Sequence, residues 1–175
     1  MLLEGSCHCG AVRFKVESQT PYPYLRCYCS VCRKTQGGGG YVINIMGDTD
    51  TLKVTGARHL SVYRARWREG RKLVRSPAKR HFCARCGSAL WLWDPRWGHW
   101  VYPFASAIDT SLPKPREIQH CLVESKPPWV RLERGQRDRV FRAFPNEAII
   151  DWHRKRRLLA DGTGKRRAAA RKKRR

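Results

Sequence analysis

Long hydrophobic runs are absent from the sequence, and acidic residues are few. No apolar stretch approaches the roughly 20 residues that a membrane-spanning helix needs. The N-terminal segment MLLEGSCHCG lacks the charged region and the apolar run of a secretory signal peptide, so we expect a cytoplasmic protein. Only 14 of the 175 residues are Asp or Glu, and we find neither paired carboxylates typical of a glycosidase nor a Ser/His/Asp motif. The length suits one domain with a hydrophobic core, or such a domain followed by a tail.

Positive charge, in contrast, is abundant and unevenly distributed. The 37 Lys and Arg residues give a formal net charge of +23, and residues 154–175 hold 12 of them against one acid, Asp161. We predict that residues 160–175 form a basic, disordered tail, because like charges repel and little there can be buried. Such a tail could bind nucleic acid without sequence preference, since it has many cations and no aromatic residues for base stacking. A solvated tail without a partner is the alternative.

Short runs of β-branched and aromatic residues dominate the chain up to about residue 125. Clusters of Gly, Pro, Asn and Asp separate these runs, a pattern typical of a small antiparallel fold. One helix is predicted at Asn146–Leu159, where Asn146 is a suitable N-cap, acids lie early and basic residues lie late. The sequence therefore predicts a mainly β protein with one C-terminal helix, and its strands are expected in Val12–Val16, Tyr41–Ile45, Leu60–Tyr63, Leu90–Trp93 and Trp100–Phe104.

Eight cysteines are the most informative feature of the chain. Their close spacing and the expected compartment favour metal binding over a framework of disulfides. The first group, C-x-C-G, holds Cys7 and Cys9, and the second, C-x-C-x-x-C, holds Cys27, Cys29 and Cys32. The third group, C-x-x-C-G, holds Cys83 and Cys86, and Cys121 is isolated.

Glycine separates these groups into two kinds of site. Zinc holds four ligands tetrahedrally with its sulfurs about 2.3 Å away, so two thiolates from one segment must meet in a tight turn. Glycine supplies the positive φ that such a turn often needs, and Gly10 and Gly87 follow the last cysteines of the first and third groups, whereas Arg33 follows Cys32. We therefore predict that the first and third groups share one closed, structural site, although the sequence leaves other partitions open. Its ligands would be Cys7, Cys9, Cys83 and Cys86.

The remaining trio, Cys27, Cys29 and Cys32, has no assured fourth ligand. Cys121 or a histidine, of which His120 is the strongest candidate, would close the site, but we favour a buried free thiol for Cys121. An open three-thiolate zinc has a chemical use, because zinc lowers the pKa of a coordinating thiol, and that thiolate could attack an aldehyde carbon. An open site would also lose its metal more easily than a closed one.

Two cations adjoin the trio. Arg33 and Lys34 could hold the carboxylates of an anionic thiol such as glutathione, although two solvated charges in a basic protein are an equally good interpretation. The glycine run at 37–40 is interpreted as a turn after the trio that borders the ligand pocket, rather than as a phosphate-binding loop, because no Gly-Lys-Ser/Thr follows it.

The segments GSCHCGAVRF, CYCSVCRK, GGGG, HFCARCGSALW, ASAIDTSLP and KPPWV, in this order, resemble the glutathione-dependent formaldehyde-activating enzyme family, also called the centromere protein V family. The resemblance covers about residues 4–130. It implies a zinc-stabilised β-tent fold of stacked antiparallel sheets, two zinc ions, and carbon–sulfur lyase chemistry that joins formaldehyde and glutathione reversibly. It also implies that the four paired cysteines are structural ligands and that Cys27, Cys29 and Cys32 hold the catalytic zinc.

Departures from the family pattern concern the substrate more than the fold. Tyr28 stands where members of the family commonly have His, and we expect this change to act beside the zinc rather than on its ligands. The segment Arg64–Lys79 is longer and more basic than usual, which predicts a hairpin at the rim of the site.

We divide the chain into a zinc domain at 1–130, an extension with a helix at 131–159 and the tail. The alternative function is a zinc-stabilised module that binds nucleic acid through that tail.

Overall fold

The computed structural model describes residues 1–36, 38–132 and 135–160, so the predicted tail lies outside the described residues apart from Ala160. The described part is mainly β, as predicted, and it contains no helix that is both long and apolar enough to cross a membrane. Its α-helices are α1 (Ser30–Gln36) and α2 (Ile149–Lys155). Its strands are β1 (Leu2–Ser6), β2 (Arg13–Glu17), β3 (Leu25–Cys27), β4 (Val42–Ile43), β5 (Gly47–Asp48), β6 (Lys53–Thr55), β7 (Leu60–Tyr63), β8 (Arg66–Glu69), β9 (Lys72–Arg75), β10 (Lys79–Cys83), β11 (Ala89–Trp93), β12 (Trp100–Pro103), β13 (Gln119–Cys121) and β14 (Arg139–Val140).

Each of the five runs predicted as strands overlaps one, namely β2, β4, β7, β11 and β12. The first sheet, β1-β2-β6, is antiparallel and alternates between buried and exposed residues, because one of its faces covers the core. Leu3, Phe14 and Val16 lie on the buried face. Gly5 pairs with Phe14, and a Cβ at Gly5 would overlap the Phe14 ring, so only glycine fits there.

The second sheet, in the order β5-β12-β11-β10-β7, is also antiparallel and supplies the other side of the main core. Trp91 meets Phe14 of the first sheet edge to face, with ring centroids 5.4 Å apart. A register shift follows His81, so that His81 pairs with Trp91 but Phe82 pairs with Ala89. The unpaired extra residue, Leu90, lies on β11, so the bulge bends that strand opposite the end of β10 that delivers Cys83.

The third sheet, in the order β14-β13-β3-β4, carries the second core and is mixed rather than wholly antiparallel. β3 pairs antiparallel with β4, but β13 runs parallel to both β3 and β14. Parallel neighbours need a long connection, and the chain between β3 and β13 supplies one. The parallel pairing sets Cys121 opposite Cys27, and the second core forms around them with Cys32, Val42 and Phe104.

The basic segment Arg64–Lys79 forms the predicted hairpin. Strands β8 and β9 pair antiparallel in a separate two-stranded sheet, and Gly70 turns between them with a φ of 59°. The hairpin leaves Trp67 and Leu73 exposed. Its two ends join β7 and β10, which pair with each other.

Helix α2 is shorter than the predicted helix Asn146–Leu159. It begins after Ala148, whose backbone is extended and whose side chain makes no capping hydrogen bond. The prediction of Asn146 as the N-cap is therefore wrong.

The C-terminal end of α2 is set by backbone conformation rather than by glycine. Arg157 adopts a φ of 56°, in the left-handed region. Its N–H donates to the carbonyl of Arg154, and the Leu158 N–H donates to the carbonyl of His153. These two bonds form a Schellman motif, which ends the helix at Lys155.

Helix α2 is held by aromatic packing. Trp152 is 1% exposed, stacks on Tyr24 with ring centroids 3.6 Å apart, and donates from Nε1 to the Glu117 carboxylate at 2.8 Å. His153 is fully buried; its Nε2 accepts from the Tyr22 N–H, and its Nδ1 donates to a carbonyl one turn back. Both ring nitrogens are thus used in the neutral form, and burial lowers the His153 pKa.

Candidate metal centres

Four cysteine sulfurs, from the turn after β1 and the turn after β10, lie within 4.8 Å of one another. Sulfurs placed tetrahedrally at about 2.3 Å from one zinc ion would be about 3.8 Å apart. The Cys7 and Cys9 sulfurs are 3.6 Å apart, and the Cys9 and Cys83 sulfurs are 3.8 Å apart. The donor set and its spacing therefore fit a tetrahedral metal such as zinc. The set is Cys7, Cys9, Cys83 and Cys86, which the glycine pattern predicts as one group.

The two turns that supply these sulfurs are built alike. The Gly10 N–H donates to the Cys7 carbonyl at 2.9 Å, and the Gly87 N–H donates to the Cys83 carbonyl at 2.8 Å. Both glycines have a positive φ, of 71° and 74°, as the sequence predicts. The Val12 N–H also donates to the Cys7 sulfur at 3.2 Å, which orients that sulfur.

Ser88 joins the two turns and adjusts the acidity of the thiols. Its hydroxyl accepts from the His8 N–H at 3.1 Å and lies 3.2 Å from the Cys86 sulfur. The Ser88 hydroxyl is the main reason that the Cys86 pKa falls to about 5. At Cys9 the Ala11 N–H lowers the thiol pKa, but burial and the other three sulfurs outweigh it and raise that pKa to about 11. Four thiols this close need a cation among them before all can ionise, which is the charge that a metal ion supplies.

A second group of three sulfurs lies where β3 passes into α1. Cys27 ends the strand, Cys29 precedes the helix and Cys32 lies within it, so the bend of the chain brings their sulfurs within 4.8 Å of one another. The Cys32 N–H donates to the Cys29 sulfur at 3.3 Å. Cys27 and Cys32 are buried, whereas Cys29 is partly exposed. Solvent or a ligand therefore approaches this trio from the Cys29 side.

One thiolate is favoured in the trio. Hydrogen bonds from Cys27 and Cys32 lower the Cys29 pKa to about 2. The pKa of Cys27 is raised, chiefly through Cys121 and then Cys29, and the pKa of Cys32 is raised chiefly through Cys27. A single negative charge is thus shared among close donors, an arrangement that soft metal ions bind well.

Cys121 lies beside the trio without joining it. It is fully buried and opposite Cys27 in the parallel β3–β13 pair. Among the described residues, neither Cys121 nor any histidine falls within 4.8 Å of all three sulfurs. The trio therefore differs from the four-sulfur group in having one ligand fewer.

Tyr28, which separates the first two cysteines of the trio, packs away from the sulfurs. Its hydroxyl lies 2.8 Å from Nδ1 of the buried His120, and its ring contacts Tyr41 with centroids 5.4 Å apart. An extended C-x-C segment places its middle side chain on the opposite side from the cysteines. His120, the strongest histidine candidate in the sequence, is thus engaged by Tyr28.

A cavity of about 280 Å³ lies beside α1, between the helix and the second sheet. Arg33 and Lys34, the cations predicted to bind a ligand, are not among the residues that line it. Apart from Gly87, the residues that line it have no role in the site predictions made from the sequence. Two of these lining residues could have been found from the sequence if a helix had been predicted there. Thr35 and Gln36 follow Cys32 by three and four positions and therefore share its face of the helix. The lining is Thr35, Gln36, Tyr63, Arg80, His81, Phe82, Gly87 and Ala89.

Comparison with known proteins gives a family match and similar individual proteins. Residues 2–120 match the profile of a family described as glutathione-dependent formaldehyde-activating enzyme, and this segment contains both cysteine groups. A Halomonas elongata protein, named "Putative glutathione-dependent formaldehyde-activating enzyme", is 60% identical over 153 residues, which cover 87% of this chain and 95% of that protein. A crystal structure of a Rhodobacter sphaeroides protein is 27% identical, covers 63% of this chain and 91% of its own, and has a TM-score of 0.48.

Proposed function

The chain belongs to the glutathione-dependent formaldehyde-activating enzyme family, and from that premise we propose that it joins glutathione, or a similar thiol, to formaldehyde in a reversible carbon–sulfur lyase reaction. The single observation that carries the proposal is the contrast between the two sulfur groups. One has four ligands, as a structural zinc site does; the other has three, and its Cys29 edge is partly exposed. Catalytic zinc sites characteristically keep such an open position.

Each group has a distinct role in this proposal. Cys7, Cys9, Cys83 and Cys86 hold a structural zinc that joins the turn after β1 to the turn after β10. Cys27, Cys29 and Cys32 hold the working zinc, which, when bound, would supply a Lewis acid that lowers the pKa of a thiol in its fourth position.

The reaction that follows is balanced without an oxidant or a reductant. The substrate sulfur forms a bond to the aldehyde carbon while the carbonyl π bond breaks, and the proton lost by the thiol ends on the new hydroxyl. The protein's part is to hold the sulfur and the carbonyl in contact and to limit the access of water. Buried Cys27 and Cys32 and the surrounding second core close the inner side of the trio, which leaves Cys29 as the side of approach.

The test is an exchange experiment, because formaldehyde and glutathione also combine without a catalyst. Two-dimensional NMR exchange spectroscopy with ¹³C-formaldehyde measures the rate at which S-hydroxymethylglutathione forms and breaks down. We expect the zinc-loaded protein to accelerate this exchange and Cys29→Ser to abolish the acceleration with a modest loss of stability. Cys86→Ser is the matched substitution in the four-sulfur group, and we expect it to unfold the domain.

Two results would contradict the proposal. A wild-type protein that carries zinc at both groups but leaves the exchange rate at the uncatalysed value would exclude this reaction. If Cys29→Ser and Cys86→Ser unfold the protein equally, the two groups do not differ in kind, and the assignment of one as structural and the other as catalytic fails.

A further inference from the structure

The cavity beside α1 opens on the same side of the second sheet as the cysteine trio. Arg80 pairs with Tyr63 on β7 and with Leu92 on β11, and directly opposite residues of antiparallel strands share a face. Leu92 packs against the second core, which contains Cys27 and Cys32. Arg80 and Tyr63 therefore lie on the face that looks toward the trio.

Helix α1 links the cavity directly to the trio. Cys32 and Gln36 are four positions apart, which is about one turn, or about 5.4 Å along the helix axis. A ligand whose sulfur lies at the trio could therefore extend along α1 into the cavity without crossing the sheet.

Three polar side chains that line this cavity, Gln36, Arg80 and His81, have buried atoms without a hydrogen-bond partner. Both the oxygen and the nitrogen of the Gln36 amide are inaccessible to water and have no hydrogen-bond partner among the described residues, and the same is true of Nη1 of Arg80. Buried polar groups in native proteins are almost always paired, because an unpaired one loses its hydration without compensation. These atoms indicate that a polar partner is missing.

The positive charge of Arg80 is not neutralised by Asp94, the acid whose pKa it helps to lower. Arg80 helps to lower the pKa of Asp94, but hydrogen bonds from Arg96 are the main cause of that shift. The two oxygens of Asp94 accept from Arg96 at 3.0 and 2.7 Å. Arg80 therefore presents a guanidinium at the cavity that is suited to a carboxylate.

We infer that this cavity binds the carboxylate and the adjoining amide of a peptide thiol, with Arg80 contacting the carboxylate and Gln36 contacting the amide. The inference rests on the proposed function, since it places the thiol of the same substrate at the trio. Arg80 directly follows the basic segment Arg64–Lys79, so the hairpin and the binding residue belong to one continuous segment, β8 to β10. The cavity, rather than Arg33 and Lys34, then selects an anionic peptide over a small neutral thiol.

Calorimetric titration of the full zinc-loaded chain tests this directly. The two probes are glutathione and its diethyl ester, in which both carboxylates are neutral. Wild type should bind glutathione more tightly than the ester. Arg80→Met should weaken glutathione binding at least about tenfold, as expected for a charge-assisted hydrogen bond, and should remove the preference over the ester. Gln36→Leu should weaken the binding of both probes.

Arg66→Met is the matched control, because Arg66 is exposed on β8 and is not part of the cavity lining; it should bind both probes as wild type does. Metal analysis and thermal unfolding of each variant show whether zinc and fold are retained. Should Arg80→Met not fold, Arg80→Lys replaces it and should retain the preference for glutathione while binding more weakly than wild type, because the bidentate geometry is lost.

The outcomes separate this inference from the proposed function. Arg80 and Gln36 variants that bind both probes as wild type does would overturn the inference, and so would a wild type that binds neither. A wild type that binds glutathione with the expected ratios but does not accelerate exchange with formaldehyde would contradict the proposed function and support the cavity assignment.

Discussion

Replacing Gly87 by alanine tests whether a glycine with a positive φ is needed in the turn that brings the Cys83 and Cys86 sulfurs together. Gly87 has a φ of 74° in the turn that follows Cys86, and a Cβ built on it meets nothing within 4 Å. The effect of Gly87→Ala should therefore come from backbone conformation alone. A left-handed conformation costs an L-residue about 1–2 kcal/mol, and the reduced freedom of the unfolded chain returns about 0.4–1 kcal/mol. The expected net loss of unfolding free energy is about 1 kcal/mol.

Two other glycines serve as matched controls. Gly70 in the hairpin has a φ of 59° and equally open surroundings, so Gly70→Ala should lose about 1 kcal/mol for the same reason. Gly98 is right-handed, with a φ of −55°, and its Cβ would meet atoms only at 3.7 Å, so Gly98→Ala should be neutral or slightly stabilising. Urea unfolding at a fixed free zinc concentration measures all three.

Zinc affinity distinguishes the two destabilised variants. Competition with a chelator should show weaker zinc binding by Gly87→Ala, by up to about fivefold for about 1 kcal/mol, and unchanged binding by Gly70→Ala. If Gly87→Ala is as stable as wild type, or if it binds zinc no differently from Gly70→Ala, the glycine does not serve the metal turn and the reasoning is refuted.

Three further predictions follow from the packing and the protonation of single side chains. Trp152→Ala should lower the unfolding free energy by about 3–5 kcal/mol, because a buried ring stacked on Tyr24 is lost; a change below about 1 kcal/mol in urea unfolding would show that α2 is not docked there. Burial lowers the His153 pKa, so the stabilising effect of the neutral ring is complete above the unfolded value of about 6.5 and is lost as the pH falls below it. The stability difference between wild type and His153→Gln should therefore shrink from pH 7.5 to pH 5.5, and a constant difference would contradict the neutral assignment. Cys121→Ser should retain two zinc ions per chain on metal analysis, whereas loss of one ion would make Cys121 a ligand.

Much of the site was predictable because ligand spacing is a local property. The positive φ of Gly10 and Gly87 is needed within each turn, so the pattern of Cys and Gly groups the sulfurs without knowledge of the fold. The separation of Cys121 from the trio depends instead on the register of β13 against β3. Register between distant strands is set by tertiary packing, and no short segment encodes it.

Helix α1 could not be predicted from its sequence. It has only seven residues, Ser30–Gln36, and its sequence SVCRKTQ has no apolar periodicity that would distinguish a helix from a loop. Without α1, Thr35 and Gln36 cannot be placed beside Cys32, so the sequence offers only the neighbouring cations Arg33 and Lys34 as candidate ligand contacts, which stays a prediction.

The C-terminal helix was predicted from the sequence, but the predicted helix is too long at both ends. Charge pattern and capping residues predicted a helix at Asn146–Leu159. These signals show that the segment is compatible with a helix, but tertiary contacts decide where the helix begins and ends. The left-handed Arg157 ends α2 without the glycine that usually marks such a stop.

Zinc X-ray absorption spectroscopy, combined with metal analysis and recorded with and without glutathione, distinguishes an open three-sulfur zinc site from a closed four-sulfur one. We expect two zinc ions per chain, one bound by four sulfurs and the other by three sulfurs and a light atom, with a fourth sulfur replacing that light atom when glutathione is added. A single zinc per chain, or two sites that each have four sulfurs before the thiol is added, would contradict this expectation.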